Sequence, residues 1–167
     1  PVLTHRDLPD HPISAAGHAD LVQLQDGSWW GVCLGVRQKN SVSALGRESF
    51  LAPVEWSAEG WPIMGEQRRL RLDGPGPALP RQPLPPKPTR DEFAAATLDL
   101  EWNHVRNPDT ARYSLSERPG WLRLKGSSVS LDDLASPTAV VRRQRHFGVQ
   151  LATRLDFSPT RDGDEAG

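Results

Sequence analysis

The run Trp29 to Val36, WWGVCLGV, is apolar on both faces that an extended strand would present. Side chains alternate along a strand, so Trp30, Val32, Leu34 and Val36 share one face while Trp29, Gly31, Cys33 and Gly35 share the other. A strand with one side in water alternates apolar with polar residues, and this one does not. It therefore demands cover on both sides, which is the condition of a propeller blade held between its neighbours.

The surrounding sequence supplies strand partners. DLVQLQ precedes it across Asp26-Gly27-Ser28, and an Asp-Gly pair between two β-rich runs is a strong hairpin signal. ESFLAPVEW reads as a third strand and GWPIM, after the turn Ser57 to Gly60, as a short fourth. The expectation is a four-stranded antiparallel meander. Trp29, Trp30, Trp56 and Trp61 are expected in its core, since aromatic residues on strands are usually packing residues.

Prolines then interrupt the pattern. DGPGPALPRQPLPPKP, Asp73 to Pro88, concentrates residues that lack a backbone donor and fix φ, so it joins neither a sheet interior nor a helix and reads as an extended linker. The chain divides accordingly into residues 1–73, a linker 74–88, and residues 89–167. In the last part FAAATLDLEWNHVR, YSLSERPGWLRLKGS and TAVVRRQRHFGVQLATRLDFSP alternate apolar with polar residues, as in one sheet of a β-sandwich. For DEFAAATLD the local alternative is a short helix. The fold class is all-β.

Twenty basic and twenty-one acidic residues give a net charge of -1, which argues against nucleic acid and an anionic membrane as partners. The basic cluster Arg142 to His146 is expected on a solvent face or an interface within the protein. Cys33 is the sole cysteine, so no internal disulfide forms, and the five histidines lack zinc-ligand spacing. No apolar run approaches a membrane span. The expectation is a soluble protein, cytoplasmic or secreted, whose compartment the sequence leaves open. A first residue Pro1, with Met64 the lone methionine, suggests a piece of a longer protein.

Two multi-residue patterns carry a family resemblance. GHADLVQ, GSWWGVCLGVR, LGRESFLAPVEW and GWPIM together resemble the last blade of the five-bladed β-propeller in glycoside hydrolase family 43, the β-xylosidases and α-L-arabinofuranosidases. LDLEWNHVRNP, YSLSERPGWLRLKG and RRQRHF resemble the first strands of the concanavalin A-like β-sandwich appended to that propeller. The resemblance implies a final blade followed by an incomplete sandwich. It also implies an inverting hydrolase of xylan-derived xylosyl or arabinosyl oligosaccharides, whose catalytic Asp, Asp and Glu lie on earlier blades, so that this chain carries no catalytic residue. Inversion needs acid and base roughly 6.5–9.5 Å apart, a geometry built by several blades.

Carried over residue by residue, the resemblance places His18 on the propeller axis as a ligand of a divalent cation, commonly calcium, in an incomplete site. Asp20 has two readings, a partner that orients His18 or the cap of an Asx turn. Arg47 in LGRES matches the arginine that reaches the sugar subsite, where a planar fork can grip vicinal hydroxyls. Against this stands an exposed arginine paired with Glu48. The loop QKNSVSA before it is shorter than in some β-xylosidase members, which bears on the preferred sugar. The implied partners are a xylo- or arabino-oligosaccharide and the missing blades, with self-association expected of the exposed apolar surface. The competing function is a non-catalytic carbohydrate-binding or interaction β-sandwich module.

Overall fold

The computed structural model describes residues 1–167. Its main element is a four-stranded antiparallel sheet in sequence order: β1 (Ile13–Gln23), β2 (Trp29–Arg37), β3 (Arg47–Trp56) and β4 (Pro62–Met64). The meander agrees with the sequence expectation. At the β1–β2 connection Gly27 takes φ 85°, a value that an L side chain resists, and the Asp26 carboxylate accepts both the backbone N–H and the hydroxyl of Ser28.

Strand partners directly opposite share a face, so the register sorts the sheet into two surfaces. Cys33 pairs with Phe50, Gly31 with Ala52, and Val54 with Met64. This face is covered by the chain itself: Ile13, Cys33, Ala52, Val54, Met64 and Leu70 form the core, with Val2, Leu3, Ala16, Trp29 and Phe50 packed against it. The N-terminal segment is tied on by Met64 N–H to the Val2 carbonyl and by Thr4 N–H to the Arg68 carbonyl. Burial raises the Cys33 thiol above its ordinary pKa.

The other face is open at its centre. Val32 pairs with Leu51 on one side and Asp20 on the other, and Val22 pairs with Trp30. Val22, Val32 and Leu51 are 45%, 46% and 51% exposed. The two-faced apolar character of β2 is thus half satisfied. Trp30 is buried and Trp29 half-buried, but Trp56 and Trp61 are exposed, contrary to the expectation of a core role. They flank the β3–β4 turn, beyond the covered part of the sheet, where Trp56 meets Trp29 edge to face at 5.2 Å.

No strand or helix forms between Met64 and Trp102. The last part of the chain holds two small ribbons: β5 (Trp102–His104) with β8 (Val140–Arg142), and β6 (Tyr113–Ser114) with β7 (Arg123–Leu124), plus a single 3-10 turn, Thr110–Arg112. DEFAAATLD is not helical. The strands expected here are much shorter than the alternation suggested, and residues 143–167 form none. Alternation reports which face a residue would occupy, whereas a strand also requires a neighbour to bond. Val149, Leu151 and Leu155 have no such neighbour and are 56%, 86% and 58% exposed. The chain is all-β, one four-stranded sheet followed by two two-stranded ribbons. Its accessible surface is 13555 Å², against about 8,200 Å² for a compact monomer of this mass.

Candidate functional site

His18 and Asp20 lie on a twice-bulged stretch of β1. Ser14 pairs with Val36 and Gly17 with Leu34, so Ala15 and Ala16 together oppose Gly35; Asp20 pairs with Val32, so His18 and Ala19 together oppose Cys33. The first residue of each bulge is left-handed, Ala15 at φ 48° and His18 at φ 53°. For an L residue that conformation costs about 1–2 kcal/mol. Bulges turn a side chain away from the regular pleat and recur beside functional sites. His18 and Asp20 are exposed, and the side-chain hydrogen bonds made from β1 are those of Ser14 and Gln23. Asp20 neither bonds His18 nor closes an Asx turn.

The path to Arg47 is a pair of tight turns. Lys39 and Val42 bridge around Asn40 and Ser41, at φ 52° and 61°, and Gly46 N–H then bonds the Ser43 carbonyl. Gly46, at φ 64°, is the last residue before β3. Arg47 comes next, opposite Val36, which in turn pairs with Ser14, so Arg47 and the first bulge of β1 occupy the same end of the sheet, while His18 lies three β2 positions further in. The Glu48 carboxylate does not pair with Arg47. It accepts two hydrogen bonds from Arg37, Nε at 2.9 Å and Nη2 at 2.7 Å. The Arg47 guanidinium is exposed and has no ion-pair partner, so the alternative of an arginine paired with Glu48 does not hold.

The carboxylates that depart from their ordinary values all move downward. Asp26 is lowered by the Ser28 hydroxyl and backbone, Glu48 by the hydrogen bond from Arg37, and Asp133 by the Ser130 backbone and hydroxyl. A glycosidase acid requires the opposite, a carboxyl kept protonated near neutrality. No three His, Cys, Asp or Glu side chains gather into a cation site. Calcium takes six to eight oxygen ligands, and His18 offers one nitrogen, so the residues of this chain alone do not fit that ion.

A cleft of about 480 Å³ lies elsewhere, in the last part of the chain, lined among others by Lys87, Asp91, Glu101, Trp102 and Arg142. None of His18, Asp20 and Arg47 borders it. Its polar groups are committed to one another: Glu101 accepts from Lys87 at 3.1 Å and from Arg142 and Arg145, while Asp91 accepts the Trp102 indole N–H at 2.7 Å.

Two residues that matter to the geometry carried no sequence signal. His5, 9% exposed, donates from Nδ1 to the Ile13 carbonyl at 2.7 Å and accepts the Leu70 N–H on Nε2 at 2.8 Å. A backbone N–H can only donate, which fixes that tautomer. Arg143 reaches from the last part of the chain to the Leu45 and Arg47 carbonyls. Both contacts join segments far apart in sequence.

Comparison with known proteins extends over both parts of the chain. Residues 1–62 match the model of glycosyl hydrolases family 43, and residues 90–167 that of the β-xylosidase C-terminal concanavalin A-like domain. A non-reducing end α-L-arabinofuranosidase of Bacteroides ovatus is 46% identical over 168 residues, 100% of this chain and 32% of that protein. A xylosidase/arabinosidase of Butyrivibrio fibrisolvens is 33% identical over 171 residues, 100% of this chain and 33% of that protein. Among solved structures, GH43B of the Bacteroides ovatus xyloglucan locus superposes with TM-score 0.81 at 49% identity, covering 88% of this chain and 29% of that one. The GH43 protein BlXynB of Bacillus licheniformis gives 0.78 at 43% identity, with 87% and 28% coverage. The chain spans about a third of the length of the curated relatives it matches. In sequence and in fold, it belongs to glycoside hydrolase family 43.

Proposed function

We propose that this chain is the part of an inverting glycoside hydrolase that completes the propeller and begins the sandwich, in an enzyme acting on xylosyl or arabinosyl units of xylan-derived oligosaccharides. In this reading the acid and base lie outside residues 1–167. Arg47 donates to sugar hydroxyls, and its lack of a protein ion-pair partner leaves its fork available for them. His18 contributes a single ligand to a divalent cation, calcium by family resemblance, whose oxygen donors come from outside the chain. Asp20 has no part in holding it, since it makes no hydrogen bond to His18. No chemical step is assigned to the ion.

The observation that carries the proposal is the open sheet face. Val22, Val32 and Leu51 form an apolar surface on the sheet whose bulged first strand carries His18 and Asp20 at its middle, as expected where a neighbouring blade would pack. A free-standing binding module gains nothing from such a face, since exposed apolar patches favour aggregation unless covered.

The test is hydrolysis of 4-nitrophenyl β-D-xylopyranoside and α-L-arabinofuranoside by the complete protein that carries this chain, with the anomeric configuration of the first product read by proton NMR. Release of inverted sugar is expected. A retained configuration, or no turnover of either glycoside or of xylo-oligosaccharides, contradicts the proposal.

A further inference from the structure

The contact between the two parts of the chain converges on the backbone of Arg47. Arg143 stands 98 residues from Leu45, yet its Nη2 donates to the Leu45 carbonyl at 2.9 Å and also to the carbonyl of Arg47. Those two carbonyls flank Gly46, which has a left-handed φ of 64° and open space where a side chain would be. Gly46 is therefore the joint at which the chain is freest to turn as it enters β3. One guanidinium holds the carbonyls on either side of that joint.

The neighbouring contacts reinforce it. Phe147 lies against two cations at the end of β2, with Arg37 at 5.3 Å and Lys39 at 5.9 Å from the ring centroid. Arg37 in turn grips Glu48, the residue after Arg47. Leu45 is 3% exposed, so its carbonyl is a firm anchor. The Arg47 side chain projects from this supported backbone without an ion-pair partner of its own.

We propose that Arg143 is a positioning residue for Arg47: it ties the sandwich part of the chain to the Gly46 joint and so fixes the direction in which Arg47 meets a pentosyl ligand. This rests on the reading of Arg47 as a substrate contact. Both bonds come from one nitrogen, Nη2, whose N–H directions the planar guanidinium fixes, whereas a lysine ammonium rotates freely on its stem and holds the pair less firmly.

The experiment is a double-mutant cycle in the complete protein, with KM and kcat measured on the nitrophenyl pentoside it hydrolyses. Arg143→Ala is expected to raise KM roughly tenfold with kcat little changed, because a misdirected contact weakens binding without touching the reacting atoms. Arg143→Lys is expected to recover only part of the loss. In an Arg47→Ala background the same Arg143→Ala change is expected to alter KM by less than about twofold, since the residue through which it acts is gone. If Arg143→Ala raises KM equally in both backgrounds, or lowers the thermal midpoint while leaving KM unchanged, Arg143 is only a strut and the proposal is overturned. If Arg47→Ala by itself leaves KM and kcat unchanged, the reading of Arg47 fails first, and that single variant reveals it. Should Arg143→Ala not fold, Arg143→Lys and Arg143→Gln carry the same comparison.

Discussion

Arg37 and Glu48 are joined by two parallel hydrogen bonds, 2.9 Å and 2.7 Å, at the end of the sheet from which Arg47 projects. The guanidinium holds the Glu48 carboxyl below its ordinary range, with a smaller contribution from the charge of Arg143. A carboxyl lowered on folding stabilises the fold above its unfolded value, about 4.3 for glutamate, and the benefit is lost as pH falls through the lower folded value. Glu48→Gln is therefore expected to cost under about 1 kcal/mol at pH 7, a modest sum because the Arg37 side chain is 34% exposed. The deficit should shrink below about pH 4. Urea midpoints of both proteins between pH 3 and pH 7 check this, and a pH-independent difference would refute it.

Gly35 sits opposite the first bulge of β1. A Cβ there would lie 2.8 Å from the Phe50 ring and 2.9 Å from Ile13 Cγ2, and Ile13 is fully buried. Gly35→Ala is expected to destabilise by about 1–3 kcal/mol through overpacking. Gly31→Ala should cost less, because there the obstruction is the flexible end of Met64, Sδ at 2.7 Å and Cε at 2.8 Å. Thermal unfolding of the two variants ranks them, and the reverse order would contradict this packing account.

Ala15 and His18 share the left-handed conformation but not the proposed role. Glycine relieves the strain at either position, so Ala15→Gly and His18→Gly are each expected to stabilise by about 0.5–1 kcal/mol, the relief less the entropy glycine loses on folding. Activity separates them. Ala15→Gly in the complete protein should retain turnover, whereas His18→Gly should lose about 10- to 100-fold. Equal activities would remove His18 from the site.

His5 clamps the start of β1 to Leu70, a residue 65 positions from His5 itself. His5→Ala leaves the Leu70 N–H buried without an acceptor and is expected to cost about 2–4 kcal/mol, read from a denaturation midpoint. A loss under about 0.5 kcal/mol would mean that water replaces the ring without penalty.

How far these features could be read from the sequence depends on the range over which each is determined. The Asp26-Gly27 turn is local, and the hairpin and meander around it arise from short patterns. The need for cover on both faces of β2 was visible in WWGVCLGV, but not that residues 1–5 and Leu70 would supply one side, since that closure spans the whole first part of the chain. The bulges at Ala15 and His18 carry no signal, because neither alanine nor histidine announces a left-handed backbone. In the last part, Val149, Leu151 and Leu155 alternate as a strand would, yet pairing depends on a partner strand that alternation cannot specify. The basic cluster divides by geometry alone: Arg142 and Arg145 meet Glu101, while Arg143 crosses to the first sheet.

The central claim is that the face bearing Val22, Val32 and Leu51 is internal to a larger propeller. In the complete protein, with Cys33 replaced by serine, single cysteines at Val32 and Leu51 can be compared with one at Leu84, which is 88% exposed, in their rates of maleimide labelling. The account predicts labelling at positions 32 and 51 at least about 100-fold slower than at 84, as for thiols reached only by local opening. Rates equal to that at 84 would show the face open to solvent and contradict it.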